Sequence, residues 1–185
     1  MRDSPSISPL DAPRGVVIWL TGLPSSGKST LAARVHAQLL QRGRASCVLD
    51  GDEVREALVP PPGYGPEARD AFYATLARLA SLLARQGLVV LVPATAHRAA
   101  YRAEARALAP AFIEVYVQVS VEECARRDAK GLYAAVAEGR AEGLPGLDLA
   151  YEAPRALEVL ASGGHDEGAI TEILARVDRA QGEAS

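Results

Sequence analysis

The chain has 185 residues, 49% of them apolar and 23% charged, which fits one soluble globular domain large enough to bury a real core. Twenty basic against twenty-three acidic side chains give a net charge of −3, which excludes a strongly basic nucleic-acid binder. Two cysteines, Cys47 and Cys124, cannot form a disulfide scaffold, and no apolar run reaches the roughly 20 residues of a membrane span.

Met1–Pro13 is rich in Ser and Pro, with one Arg before its end and no apolar core, so it reads as a disordered leader rather than a targeting peptide. Residues 14–182 are expected to form a single domain in a cytoplasmic protein. Val16–Leu20 is apolar throughout, as a strand buried on both faces requires. Helical periodicity follows over Ser29–Arg42 and stops at Gly43. Ser46–Leu49 reads as a second strand, and Glu53–Leu58 as one or two helical turns. Pro60–Gly65 is a loop, and Pro66 opens a helix to about Gln86. Leu88–Val92 is a third strand, His97–Ala109 a helix, and Phe112–Val119 a fourth strand. Ser120 with Glu123 forms a capping box for the next short helix. Periodicity fails from Asp128 to Pro154, where four glycines fall; so long an irregular segment suggests a lid. Ala156–Leu160 is a candidate last strand, and Asp166 caps a terminal helix to about Arg179. Strands alternating with helices predict an α/β fold, a parallel sheet with helices on both faces and ligands at the carboxyl ends of its strands.

The strongest motif is Gly22-Leu23-Pro24-Ser25-Ser26-Gly27-Lys28-Ser29, a phosphate loop between a predicted strand and a predicted helix. Its glycines let backbone N–H groups wrap phosphates, and the helix N-terminus adds a positive field. Lys28 is placed to reach the β- and γ-phosphates, and the Ser29 hydroxyl to ligate Mg²⁺. ATP binding is therefore assigned to Gly22 through Ser29 together with Thr30. Asp50 and Asp52 follow the second strand, where carboxylates can organise Mg²⁺ and take a proton from an attacking hydroxyl. The third strand ends in Val92-Pro93 without an acid, so this pair must serve. Ser29, Asp50 and Asp52 are the candidate metal residues; Lys28, Asp50 and Asp52 are the candidate catalytic ones.

Only two of the twenty basic residues are Lys, Lys28 and Lys130. A chain otherwise committed to Arg keeps Lys where a point charge on a flexible stem is needed. Lys130 lies in the candidate lid. Arg55, Arg69 and Arg98 fall beyond strand ends, where a guanidinium can grip an anion or simply face solvent. Tyr64, between two glycines, can stack on a base or sit idle on a loop. His36 reads as structural, and no Cys/His spacing suits zinc.

These motifs resemble the adenylylsulfate kinase family. The resemblance rests on Ile18-Trp-Leu-Thr-Gly-Leu23 entering the phosphate loop and on Leu49-Asp-Gly-Asp52 with Val54-Arg55. It rests also on Phe112-Ile-Glu-Val-Tyr116, Cys124 to Asp128, Lys130-Gly-Leu-Tyr133 and Tyr151-Glu-Ala-Pro154. It implies a phosphate-loop kinase fold and transfer of the γ-phosphoryl of ATP to the 3′-hydroxyl of adenosine 5′-phosphosulfate, with Mg²⁺, in a homodimer. By the same resemblance Asp52 is the base or metal-organising acid, and Arg55 and Arg69 hold the phosphosulfate end. The implied acceptor pocket comprises Asp52, Arg55, Tyr64, Arg69, Thr95, Lys130, Leu132 and Leu144. The chain departs from the family's pattern in that pocket. Tyr64 and Leu144 stand where two phenylalanines sandwich the base, and Phe72 stands for an asparagine. Pro93-Ala-Thr95-Ala-His97-Arg98 replaces Phe-Ile-Ser-Pro-Tyr-Arg. A kinase for another small hydroxylated acceptor, or a nucleotide-binding protein without turnover, are the alternatives.

Overall fold

The computed structural model describes residues 15–128 and 130–182; the expected leader over 1–13 lies outside the described residues. Five strands form one parallel sheet: β1 (Val16–Thr21), β2 (Ser46–Val48), β3 (Val89–Pro93), β4 (Phe112–Val117) and β5 (Val159–Ala161), in the order β2-β3-β1-β4-β5. β1 is central, pairing Ile18 with Leu91 on one side and Ile113 on the other.

The all-apolar reading of β1 holds because both of its faces are covered. Val16, Ile18 and Leu20 pack against α1 (Lys28–Gln41) and the last helix, α7 (Glu167–Gly182), through Leu31, Val35, Ile170 and Ile173. Val17 and Trp19 face the other way, against α3 (Pro66–Ala84) and α4 (Ala99–Leu108), meeting Phe72, Leu76, Ala80 and Tyr101. Alternate residues of one strand thus anchor two separate cores. Burying side chains of this size contributes about 1.5–3 kcal/mol each relative to exposure.

Three short helices shape the sheet's carboxyl edge: α2 (Gly51–Ala57), α5 (Val121–Arg127) and α6 (Leu132–Ala137). The Ser120 cap on α5 is half of the expected box. Its hydroxyl accepts from the Glu123 N–H at 3.2 Å, but the Glu123 carboxylate is taken by Arg126 and Arg127. Helix α6 corrects the expectation of an irregular segment over Asp128–Pro154. The Asp128 carboxylate accepts from the N–H groups of Tyr133 and Ala134 at 3.1 and 3.0 Å, capping the first turn from outside it. Tyr133 is buried and its hydroxyl donates to the Pro24 carbonyl at 3.0 Å, pinning α6 to the phosphate loop. The last strand also sits later than Ala156–Leu160. Val159 and Ala161 are the inward residues of β5, whereas Leu160 is 56% exposed between them.

Candidate active site

The sheet's carboxyl edge opens into a cleft of about 1000 Å³. Pro24, Ser25, Gly27, Lys28, Ser29 and Thr30 line one end; Arg55, Tyr64, Arg69, Thr95 and Leu144 line the other; Asp50, Asp52, Lys130 and Leu132 line the same cleft. Most of the predicted residues are thereby gathered in one cavity. Gly22, Leu23 and Ser26 support it without lining it.

The phosphate loop is built by backbone geometry. Ser25 and Gly27 have φ of 62° and 100°, and a Cβ on Gly27 would come within 2.6 Å of the Gly164 nitrogen. A Cβ on Gly164 would in turn lie 2.7 Å from Thr30 Cβ, so the 162–166 loop rests directly on the start of α1. Lys28 folds back over the loop: its Nζ donates to the carbonyls of Gly22 and Leu23 at 3.0 and 2.7 Å. Burial lowers its pKa to about 8, against the raising influence of Cys124, Asp52 and Asp50. The side chain of Leu23 turns away into an apolar cluster with Cys124, Tyr133 and Leu144.

At the end of β2, the Ser29 hydroxyl donates to Asp50 Oδ2 at 2.6 Å, and Asp50 Oδ1 caps α2 by accepting from the Asp52 N–H at 3.0 Å. Asp52 pairs with Lys130, which raises the Lys130 pKa. A hydroxyl and two carboxylates form a hard-oxygen donor set. Among the described residues no cluster of three or more His, Cys, Asp or Glu offers a full metal cage. The set suits Mg²⁺, which keeps several waters and shares substrate phosphates rather than filling an all-protein site.

The other end is cationic and aromatic. Arg55 is 7% exposed and donates from Nη1 to the carbonyls of Pro62 and Gly63 at 3.1 and 2.8 Å. Its Cζ lies 3.8 Å from the Phe72 ring centroid and 4.5 Å from that of Tyr64. Arg69 donates to the Tyr64 carbonyl at 2.6 Å and the Gly143 carbonyl at 2.8 Å, joining the Tyr64 loop to the 143–148 turn. That turn is held by Asp148, which accepts from the N–H groups of Gly143 and Leu144 at 2.6 Å each. The Tyr64 ring, expected to be available for stacking, is covered on one face by Arg55. Leu144 lines the cleft but is only 8% exposed, because its neighbours Leu23 and Tyr133 enclose it.

Arg98 is not brought into this cleft. It pairs with Asp70 at 3.0 Å and lines a smaller neighbouring cavity with His97 and Tyr101. His36 bonds Ser46 Oγ at 3.0 Å, the structural role expected of it. Sequence reasoning singled out neither Arg127 nor His165, yet both line the nucleotide end. Arg127 reaches the Ser26 carbonyl at 3.4 Å. The only signal for it was its place in the Cys124–Asp128 stretch.

The adenylylsulphate kinase family model matches residues 14–162. The chain belongs to the adenylylsulphate kinase family. It is 39% identical over 155 residues to the adenylyl-sulfate kinase of Paraburkholderia xenovorans, covering 82% of this chain and 85% of that one. It is 40% identical over 141 residues to a probable adenylyl-sulfate kinase of Synechocystis, covering 76% and 80%. Among solved structures, the Mycobacterium tuberculosis APS kinase CysC in complex with AMPPNP and APS superposes with a TM-score of 0.80 at 35% identity. That match covers 91% of this chain and 98% of that one. A Sinorhizobium meliloti gluconokinase, with a TM-score of 0.58 and 18% identity, shares the fold alone. Membership of the adenylylsulphate kinase family accounts for the two-ended cleft of this kinase fold.

Proposed function

We propose that this protein transfers the γ-phosphoryl group of ATP to the 3′-hydroxyl of adenosine 5′-phosphosulfate, releasing ADP and 3′-phosphoadenosine 5′-phosphosulfate. One observation carries the reading. The Ser29–Asp50–Asp52–Lys130 chain of contacts runs from the phosphate loop to the lid segment within one cleft, between a phosphate cradle and an arginine-lined end. The acceptor hydroxyl attacks the γ-phosphorus, an O–P bond forms, and the bond from γ-phosphorus to the β–γ bridging oxygen breaks. Asp52 takes the hydroxyl proton, Lys28 neutralises charge on the β- and γ-phosphates, and Lys130 holds Asp52 and closes over the transferring group. Ser29 and Asp50, with Asp52, would hold Mg²⁺, which when bound neutralises phosphate charge. Arg55 and Arg69 hold the phosphosulfate, Tyr64 and Leu144 flank the adenine, and Thr95 and Leu132 complete the pocket wall. Water exclusion by the lid favours transfer over hydrolysis.

A homodimer belongs to the same proposal on the family resemblance, and sedimentation of the pure protein tests it. Cytoplasmic location is likewise proposed; no helix among the described residues is long and apolar enough to cross a membrane.

A second reading keeps the kinase but changes the acceptor. It is favoured by the Arg55 guanidinium lying on the Tyr64 ring, where a base would stack, and by Leu144 in place of a flat aromatic. ADP release with Mg²⁺-ATP, with and without adenylylsulfate, separates the two. Adenylylsulfate-dependent ADP release with a 3′-phosphorylated product is expected. ATP consumption indifferent to adenylylsulfate would overturn the first reading and leave the second.

A further inference from the structure

Beyond the end of β3 the chain makes an abrupt turn through Thr95 and Ala96. Ala96 is fully buried and has φ of 42°, a left-handed conformation that L side chains avoid. Such a residue persists only where its surroundings over-determine it, and such places cluster at functional sites.

Here the surroundings are explicit. The Tyr73 hydroxyl accepts from the Ala96 N–H at 3.0 Å. Arg102 Nη1 donates to the Ala96 carbonyl at 2.6 Å. Arg102 is itself 3% exposed and fixed through Nε to Glu114 at 2.7 Å and through Nη2 to the Glu152 carbonyl at 2.6 Å. One residue earlier, Thr21 Oγ1 donates to the Thr95 carbonyl at 2.6 Å. The Tyr73 ring stacks on Tyr101 with centroids 4.4 Å apart and meets Phe72, the platform under Arg55, edge-on at 5.3 Å. Tyr73 therefore stands between the residue that carries Arg55 and the turn that presents Thr95, and both Tyr73 and Thr95 line the cleft.

We infer that Tyr73 is a positioning residue for the acceptor: its hydroxyl, opposed by Arg102, clamps the Ala96 turn in its left-handed form and so sets Thr95 at the acceptor wall of the cleft. The inference rests on the proposed function, since it needs Thr95 to face the acceptor. Without the hydroxyl the buried Ala96 N–H loses its partner, the turn relaxes toward an ordinary φ, and Thr95 shifts with it. Of the phosphate loop's neighbours only Thr21, the residue before Gly22, touches this turn, through the Thr95 carbonyl; the loop residues themselves share none of the Tyr73 and Arg102 hydrogen bonds, so the effect should fall on the acceptor rather than on ATP.

The test is Tyr73→Phe, assayed for both substrates. The KM for adenylylsulfate should rise about tenfold, the loss of one buried hydrogen bond, while the KM for ATP stays within about twofold. Adding Ala96→Gly should return most of the lost affinity, because glycine takes a positive φ without a clamp. An unchanged adenylylsulfate KM, an equal rise in both KM values, or no rescue by glycine each overturns the inference. Amide hydrogen exchange on the unsubstituted protein provides a measurement independent of how the variant folds. The Ala96 amide should exchange slowly, and adenylylsulfate should slow it further while a non-hydrolysable ATP analogue does not. A fast Ala96 amide, or equal slowing by both ligands, removes the clamp. A wild-type protein that leaves adenylylsulfate unphosphorylated overturns the proposed function, and this inference with it.

Discussion

Replacing Phe72 by Leu perturbs the acceptor end at its base. Phe72 is 3% exposed and carries the Arg55 guanidinium at 3.8 Å, a contact shielded from water on both sides because Arg55 is itself 7% exposed. Desolvated cation–π contacts are worth about 2 kcal/mol, several times their value at an exposed site. Exchanging one large apolar side chain for another costs up to about 1.5 kcal/mol by itself. Phe72→Leu should therefore lower stability by about 2–3 kcal/mol, or Tm by about 5–10 °C for a chain of this size. The packing part and the cationic part separate in a double-mutant cycle with Arg55→Gln, followed by urea denaturation. Arg55→Gln removes the cation together with its bonds to the Pro62 and Gly63 carbonyls. If the guanidinium and the ring interact as described, the cycle returns a coupling energy of about 1–2 kcal/mol. A coupling below about 0.5 kcal/mol, the ordinary scatter of independent sites, would refute the stacking argument and leave Phe72 as core filler.

Three further outcomes are expected. Burial holds Lys28 at a pKa of about 8 in the free protein, and bound phosphates draw it back up; binding then takes up a proton above pH 8, and ATP affinity falls as the pH rises from 8 to 9.5. Calorimetry of a non-hydrolysable ATP analogue across that range checks this, and a flat Kd contradicts it. Asp52→Asn should reduce kcat by roughly 100-fold or more with ATP affinity retained, since it keeps shape but removes basicity; steady-state assays giving a normal kcat would transfer the role to Asp50. Leu144→Phe should tighten adenylylsulfate binding about threefold or more by offering a flat face, and lower stability by about 1–2 kcal/mol because Leu23 and Tyr133 already enclose the site. Weaker adenylylsulfate binding by that variant would favour the smaller-acceptor reading.

The sheet was legible because its strands are doubly buried: Val16–Leu20 and Val89–Val92 can hardly be anything but apolar, so their sequence announces them. The phosphate loop was legible for a related reason, since its glycines are demanded by close backbone approach. Helix α6 was hidden because six residues between glycines show too little periodicity, and its cap, Asp128, lies outside the helix it serves. β5 was misplaced because a three-residue strand exposes its middle residue, so Leu157 and Leu160 mimic a core pattern that Val159 and Ala161 actually supply. In the site, Asp50 and Asp52 could be read from their position after a strand. The Arg55–Phe72 stack and the Tyr73–Ala96 bond could not, because each joins residues 17 and 23 positions apart through tertiary packing alone.

The contact between Gly27 and Gly164 bears on how this enzyme could be recombined. The nucleotide end of the cleft is assembled largely from the two extremes of the chain, the phosphate loop near the start and the 162–166 loop near the finish, meeting backbone to backbone. The residues from Arg55 to Leu144 that line the acceptor end all fall in the stretch between them. A chimera that imports only the phosphate loop from a relative would set it against a foreign partner loop, with no side chain between them to absorb a misfit. One that exchanges a central block beginning after Asp52 and ending before α5 keeps both glycines with their native neighbours and leaves Arg127 and Tyr133 on the Ser26 and Pro24 carbonyls. Swaps of the second kind are the route by which acceptor preference could be moved between relatives while the grip on ATP is inherited intact.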